Sequence, residues 1–127
     1  MSDLVVVDTS VFIEYLRGNS DDTLAVLTLK NRVLLSPVVR LELLAGVRKS
    51  ELKSVERLCN ALRPIESFPA PSRCEKLLSK ARGSGFLGGI PDFLIIADAL
   101  VHRAFLFSYD EKMKALAKKL RVKIISA

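Results

Sequence analysis

The stretch Val5–Ser10, with the sequence VVVDTS, decides the fold of this 127-residue chain. Three β-branched apolar residues in a row are typical of a short buried strand. An acidic residue and two hydroxyl residues follow at once, and apolar residues then recur at helical spacing over residues 11–16. In an open α/β sheet, ligands bind in the crevice beyond the carboxyl ends of the strands. The sequence therefore predicts that Asp8 lies where a ligand would bind.

The same alternation of strands and helices continues along the chain. Further apolar strands are predicted at residues 33–35, 64–68, 105–108 and 122–125. Helix-start signals precede or follow them at Ser36-Pro37, Ser50, Pro71-Ser72 and Pro91-Asp92. This pattern predicts a three-layer α/β/α sandwich around a central parallel sheet. The length predicts one domain over residues 1–127.

The glycine-rich segment 83–89 is predicted to break the fifth helix and to form a mobile loop, acting as a hinge or lid or as a plain linker. It does not match a phosphate-binding loop, because no Lys-Ser or Lys-Thr pair follows its glycines.

The net charge, the cysteines and the apolar runs of the sequence limit the classes of protein to which the chain can belong. The formal net charge of +6 is compatible with an anionic partner such as nucleic acid. The two cysteines, Cys59 and Cys74, form no metal-binding spacing, so we expect reduced thiols and no zinc site. No apolar run is long enough for a membrane span, and the first residues lack the positive charge of a signal peptide. We therefore expect a cytoplasmic protein with no membrane association.

Four acidic residues occupy comparable positions in the predicted elements. Asp8 follows the first strand, Asp110 follows the fourth, Asp92 opens a helix, and Glu42 lies in the helix after the second strand. In a parallel sheet all four would meet at the carboxyl edge. Each also has a simpler interpretation, since Asp8 can cap a helix and Asp92 and Asp110 can be favourable first-turn charges.

A shared site explains the four acids together. Two carboxylates about 5 Å apart repel by roughly 3 kcal/mol at an effective dielectric of 20, so a cluster needs protons or a divalent cation. Oxygen ligands without histidine suit Mg²⁺ or Mn²⁺. Such an ion activates water and polarises phosphate. With the basic charge, this set indicates hydrolysis of a phosphodiester.

Glu42 and Asp98 carry two more specific expectations. The neighbours of Glu42 three and four positions away are apolar or small, so we predict that its side chain lies on a buried face. Asp98 lies six residues beyond Asp92, about 240° around the helix, and should not share its face. We favour an exposed i,i+4 pair between Asp98 and His102, with a fifth site acid as the alternative.

Four segments of this sequence resemble PIN-domain ribonucleases, and most closely the VapC-like toxins of toxin–antitoxin pairs. The segments are Val6–Ile13, Ser36–Val47, Asp92–Leu100 and Ser108–Asp110. They fall in the family's order and spacing and span nearly the whole chain. Two positions depart from the family pattern. Ser108 replaces a threonine and keeps the hydroxyl, and Asp98 stands where the family usually has a neutral residue.

The resemblance implies a PIN-like fold with a parallel sheet and an Mg²⁺- or Mn²⁺-binding site formed by Asp8, Glu42, Asp92 and Asp110. Ser10 and Ser108 fall where the family keeps a hydroxyl beside that site. The resemblance further implies endonucleolytic cleavage of RNA, a homodimer, and inhibition by a small VapB-like antitoxin.

Basic residues near the predicted site edge are candidates for contacts with RNA, although each can also be an ordinary solvated side chain. They are Arg40, Arg48, Lys49 and Lys112.

Two other functions remain open at this stage. In the first, the chain is a non-catalytic PIN-like module that binds protein or RNA, with the apolar first helix (Phe12, Tyr15 and Leu16) as a docking surface. In the second, it is an aspartyl-phosphate protein, which an acid after the first strand would suit. Phosphatases of that type have a second aspartate where Ser10 stands, which disfavours the second alternative.

Overall fold

The computed structural model describes residues 3–19, 21–86 and 88–125. In this part of the chain, a four-stranded parallel sheet alternates with helices. The strands are β1 (Val5–Val7), β2 (Val33–Leu35), β3 (Arg63–Pro64) and β4 (Phe105–Phe107). The helices are α1 (Thr9–Leu16), α2 (Thr23–Leu29), α3 (Pro37–Gly46), α4 (Leu52–Asn60), α5 (Pro71–Gly83), α6 (Ile90–Val101) and α7 (Glu111–Lys119).

The strand order is β3-β2-β1-β4, and each neighbouring pair is parallel. The chain therefore moves outward from β1 to β2 and β3, and then crosses back to place β4 on the other side of β1. This reversal makes the gap between the carboxyl ends of β1 and β4 the switch point of the sheet, where α/β proteins bind their ligands. Asp8 and Ser108 are the residues that directly follow these two strands.

The centre of the sheet is covered on both faces. All three residues of β1 are completely buried, although successive side chains of a strand point to opposite faces. Burial on both sides is typical of parallel sheets flanked by helices. The predicted α/β/α architecture with a central parallel sheet is confirmed. No helix in the described ranges is long and apolar enough to cross a membrane.

Two predicted strands are shorter than expected. The strand predicted at residues 64–68 is only Arg63–Pro64, although the Ile65 N–H still donates to the Leu35 carbonyl at 3.0 Å. The strand predicted at 122–125 is reduced to a single parallel bridge between Leu106 and Ile124. Both lie at the outer edges of the sheet, where a strand has a hydrogen-bonding neighbour on one side only.

The predicted helix starts are correct to within a few residues. The Ser36 hydroxyl accepts a hydrogen bond from the Val38 N–H at 3.2 Å, with Pro37 in the first helical turn, as the N-cap signal predicts. Ser50 lies in a short 3-10 turn, Lys49–Glu51, which leads into α4.

The glycine-rich segment begins as an ordered helix end. α5 includes Gly83, and the two N–H groups of Gly85 and Phe86 donate back to Arg82 and Ala81, which is a Schellman motif. Gly85 has a φ of +91°, a conformation that glycine adopts without a steric penalty. Leu87, within the predicted mobile loop, lies outside the described residues.

Candidate active site

Asp8 is a buried carboxylate at the switch point of the sheet. Its side chain is 5% exposed. Its N–H donates to the Phe107 carbonyl at 2.9 Å, which fixes the end of β1 against β4. Oδ2 accepts hydrogen bonds from the hydroxyls of Ser10, at 2.8 Å, and Ser108, at 2.7 Å. The side chain makes no capping hydrogen bond to α1, so the simple capping interpretation of Asp8 is wrong.

Ser10 and Ser108 are fixed from both sides. Each hydroxyl donates to Asp8 and also accepts from the backbone after β4, Ser10 from the Tyr109 N–H at 3.1 Å and Ser108 from the Asp110 N–H at 3.0 Å. Because each hydroxyl accepts a hydrogen bond from a backbone N–H, its orientation is fixed and its own hydrogen points at the Asp8 carboxylate. The two serines predicted beside the site thus hold Oδ2 of Asp8 and link β1 to β4.

The two carboxylate oxygens of Asp110 have different surroundings. Oδ1 accepts from the N–H groups of Lys112, at 2.8 Å, and Met113, at 3.4 Å. Asp110 is therefore the N-cap of α7, and the first-turn charge that the sequence suggested for it belongs to Glu111. Within the described ranges, no side chain or backbone group donates to Oδ2, so this oxygen is available to a ligand.

Glu42 is exposed, and the predicted burial of its side chain is wrong. The core face of α3 is formed by Val39 and Leu43, and the small residues near Glu42 lie on its solvent side. An apolar or small neighbour on a helix does not imply burial when no other element packs over it. Oε1 of Glu42 accepts a hydrogen bond of 2.8 Å from the Thr9 hydroxyl at the start of α1.

Thr9 is a site residue that sequence reasoning did not single out. Its only signal is its position between Asp8 and Ser10, because a hydroxyl at the start of α1 lies at the same sheet edge as the acids. The contact with Glu42 depends on how α1 packs against α3 and is not predictable from either helix alone.

Asp92 connects the four acids electrostatically. It lies in the first turn of α6 and is half-buried. Burial raises the pKa of its carboxyl above the ordinary value. The negative charges of three other carboxylates raise this pKa further, in the order Asp8, Asp110 and Glu42. The structure therefore brings the four predicted acids within electrostatic range of one another at the carboxyl edge of the sheet.

The donor set has the chemistry of a hard-cation site. Carboxylate and hydroxyl oxygens are the ligands that Mg²⁺ and Mn²⁺ prefer, and the side chains named above include neither imidazole nor thiolate. The acids are spread around the edge of the sheet: among the described residues, no three His, Cys, Asp or Glu side chains are close enough together to form a ready-made ion cage. The oxygen donors thus fit such an ion in kind.

Two of the four candidate cations lie beside the acids. Lys112 lines a cavity that also contains Asp92, and Arg48 lines a groove that also contains Glu42. Arg40 instead donates to Asn60 Oδ1 at 2.9 Å, across α3 and α4. Lys49 is exposed in the 3-10 turn, and no contact within the described ranges links it to the acids.

Asp98 is buried, so the predicted surface pair with His102 is wrong. Asp98 is only 4% exposed, and its Oδ2 accepts a 2.7 Å hydrogen bond from the fully buried Ser36 hydroxyl. The His102 ring nitrogen Nδ1 contacts the backbone oxygen of Asp98, at 2.8 Å, and not its carboxylate. Asp98 therefore joins α6 to the start of α3.

One protein-family model matches most of the chain. A model of the PIN domain matches residues 5–119. A search of curated protein sequences found no significant match.

Solved structures share the fold at low sequence identity. The chain is similar to VapBC2 from Rickettsia felis bound to a DNA fragment from their promoter, at 20% identity and a TM-score of 0.79, covering 96% of this chain and 97% of that chain. DNA-bound VapBC from Salmonella typhimurium is similar at 16% identity and a TM-score of 0.77, covering 98% of both chains. VapBC-1 from nontypeable Haemophilus influenzae is similar at 18% identity and a TM-score of 0.74, covering 97% of both chains.

Proposed function

This chain belongs to the PIN domain family, and on that premise we propose that it is an endoribonuclease dependent on Mg²⁺ or Mn²⁺. In this proposal Asp8, Glu42, Asp92 and Asp110 hold the ion, and the substrate is an RNA phosphodiester. The observation that carries the proposal is the arrangement at the switch point of the sheet, where Ser10 and Ser108 both donate to the buried Asp8 carboxylate and Ser108 accepts from the Asp110 N–H. The pKa of Asp92, raised first by burial and then by the charges of the other three acids, agrees with it. Carboxylates that share one edge of a sheet repel one another, and a proton or a cation offsets that repulsion.

The hydrogen bonds around the acids support this assignment. When bound, a divalent ion supplies an activated water and offsets the charge of the phosphate. Ser10 and Ser108 orient the Asp8 carboxylate by donating to Oδ2. No described residue donates a hydrogen bond to the other oxygen, Oδ1. The Lys112 N–H orients Asp110 through Oδ1 in the same manner. Partners of this kind fix metal ligands in place, and their loss typically weakens metal binding or activity about 10–100-fold.

Basic side chains flank the acids on two sides. Lys112 lines the cavity next to Asp92, and Arg48 lines the groove next to Glu42. Cations on both sides of an acidic centre suit a polyanion whose backbone crosses it, because each can contact a phosphate of the strand. The net charge of +6 has the same sign.

We propose further that the chain is the toxin of a toxin–antitoxin pair, held inactive by a small VapB-like antitoxin, and that it forms a homodimer. The similar structures of VapBC proteins support the first statement. On α1, Ile13, Tyr15 and Leu16 are exposed, whereas Phe12 is fully buried in the core. A docking surface on this helix would therefore use the first three residues. Light scattering of the purified chain, alone and with its antitoxin, tests both statements.

Cleavage of a mixed RNA pool tests the activity. We expect fragments in Mg²⁺ or Mn²⁺, none in EDTA, and none from an Asp8→Asn variant. Since water attacks instead of the ribose 2′-oxygen, the fragments should carry 5′-phosphate and 3′-hydroxyl ends. Asp22→Asn is the matched control, because Asp22 is an exposed helix N-cap without a side-chain capping bond. Cleavage that persists in Asp8→Asn contradicts the proposal, and RNA binding without cleavage indicates a non-catalytic module.

A further inference from the structure

A cavity of about 340 Å³ opens directly beside Asp92. It lies between the end of α5, the start of α6 and one side of α7. Phe86, Met113 and Leu116 give it apolar walls, and Lys112 and Lys119 contribute two ammonium groups. One water molecule occupies about 30 Å³ in the liquid, so the cavity has the volume of several waters and is large enough for the aromatic ring of a ligand. An apolar cavity with a few convergent polar groups is typical of a ligand site.

The ring of Phe86 is held in place by the chain around it. The Phe86 N–H donates to the Ala81 carbonyl at 3.0 Å within the Schellman motif, which anchors its backbone to α5. Gly88 lies against the ring, because a Cβ atom at that position would be only 2.3 Å from Phe86 Cε1. Glycine at position 88 therefore leaves room for the aromatic ring, which also packs against the core.

The two lysines at the cavity differ in the contacts of their ammonium groups. The Lys119 ammonium donates to the Ser84 carbonyl at 2.5 Å, so it joins α7 to the end of α5 and holds the cavity walls together. Lys112 makes no salt bridge with any residue in the described ranges. Its charge is therefore available to an anionic group that enters between Asp92 and the aromatic wall.

We propose that this cavity binds one unstacked base of single-stranded RNA, next to the phosphodiester that is cleaved. Phe86 provides the stacking face, Lys112 contacts the phosphate of that nucleotide, and Asp92 marks the side where the strand continues to the acids. The inference rests on the proposed ribonuclease function and names the form of its substrate. Aromatic stacking with a neighbouring cation is how proteins bind single strands, and a paired base cannot enter such a site.

Binding of short fluorescent RNA, measured by anisotropy in the non-cleaving Asp8→Asn background, tests the proposal. We expect Phe86→Ala to raise the Kd about 5- to 150-fold, the range that corresponds to loss of a base-stacking ring. Phe86→Tyr keeps the ring and should stay within about twofold of the parent. Phe68→Ala is the matched control, because Phe68 is 64% exposed and does not line the cavity. Duplex RNA of the same sequence should bind more weakly than the single strand.

Two results overturn the inference: no saturable binding of single-stranded RNA by the parent, or equal Kd values for Phe86→Ala and the parent when circular dichroism shows both folded. Cleavage by the wild-type chain separates this from the proposed function. If the wild type cleaves RNA and Phe86→Ala binds normally, only the cavity assignment fails. If binding depends on Phe86 but the wild type cleaves nothing, the nuclease proposal fails and the base site remains.

Discussion

Replacing Ser36 with alanine should destabilise the protein by about 2–4 kcal/mol. The Ser36 hydroxyl accepts from the Val38 N–H at 3.2 Å and donates to the Asp98 carboxylate at 2.7 Å. Loss of an N-cap costs about 1 kcal/mol, and loss of a hydrogen bond to a charged group costs about 1.5–3 kcal/mol. The Asp98 carboxylate is only 4% exposed, so water does not readily replace the hydroxyl there. For a chain of this length, the Tm should fall by about 4 °C per kcal/mol.

Urea denaturation of Ser36→Ala, Ser36→Thr and Ser50→Ala measures the effect. Threonine keeps the hydroxyl and should recover most of the stability, and Ser50→Ala, at an exposed serine, should match the wild type. In an Asp98→Asn background, Ser36→Ala should cost less, because the charged bond is no longer there to lose.

The pH dependence gives a second test of the same bond. Burial raises the pKa of Asp98 above 3.8, whereas the Ser36 hydroxyl lowers it. Without the hydroxyl this pKa rises further. A folded-state pKa above the unfolded value gives stability that is present at low pH and lost as the pH rises through it. The deficit of Ser36→Ala should therefore shrink as the pH falls from about 7. A deficit below about 0.5 kcal/mol, or one independent of pH, refutes the reasoning.

Three further results are expected. Ser108→Ala should lower RNA cleavage about 10–100-fold, whereas Ser108→Thr keeps the donor to Asp8 and should retain most activity; equal rates for both variants would count against the positioning role. Iodoacetamide should label the half-buried Cys74 before Cys59, because Cys59 is buried and burial raises the pKa of its thiol; mass spectrometry of timed samples reports the order. Gly85→Ala should destabilise the protein by roughly 1–2 kcal/mol in urea, since φ is +91°, whereas Gly83→Ala, inside α5, should not.

The sequence predicted the elements that lie at the centre of the sheet. Val5–Val7 is an unbroken β-branched run because both of its faces are buried, and such a run has few alternative structures. Ser36 and Pro37 mark the start of α3 through local backbone chemistry that does not depend on the rest of the fold. The position of the acids at one edge followed from these elements and from parallel pairing.

The side-chain environments were less predictable, because they depend on packing between elements. Glu42 has small and apolar neighbours on α3, but it is exposed, and its contact is the Thr9 hydroxyl on the neighbouring helix α1. Asp98 has a histidine four residues later, but α3 covers α6 and buries it against Ser36. Helical spacing gives the angle between two side chains and not the identity of the element that packs over them.

The hydrogen bond between Ser108 and Asp8 joins residues that are 100 positions apart in the sequence. Ribosomes add about 5–20 residues per second, so roughly 5–20 s pass between the synthesis of Asp8 and that of Ser108. Closing so long a loop is also a slow step of folding. During this interval Asp8 has no Ser108 to orient it, and Asp110 has not yet been made. Any chemistry at this edge therefore begins only after Ser108 and Asp110 have been synthesised and β4 has paired with β1.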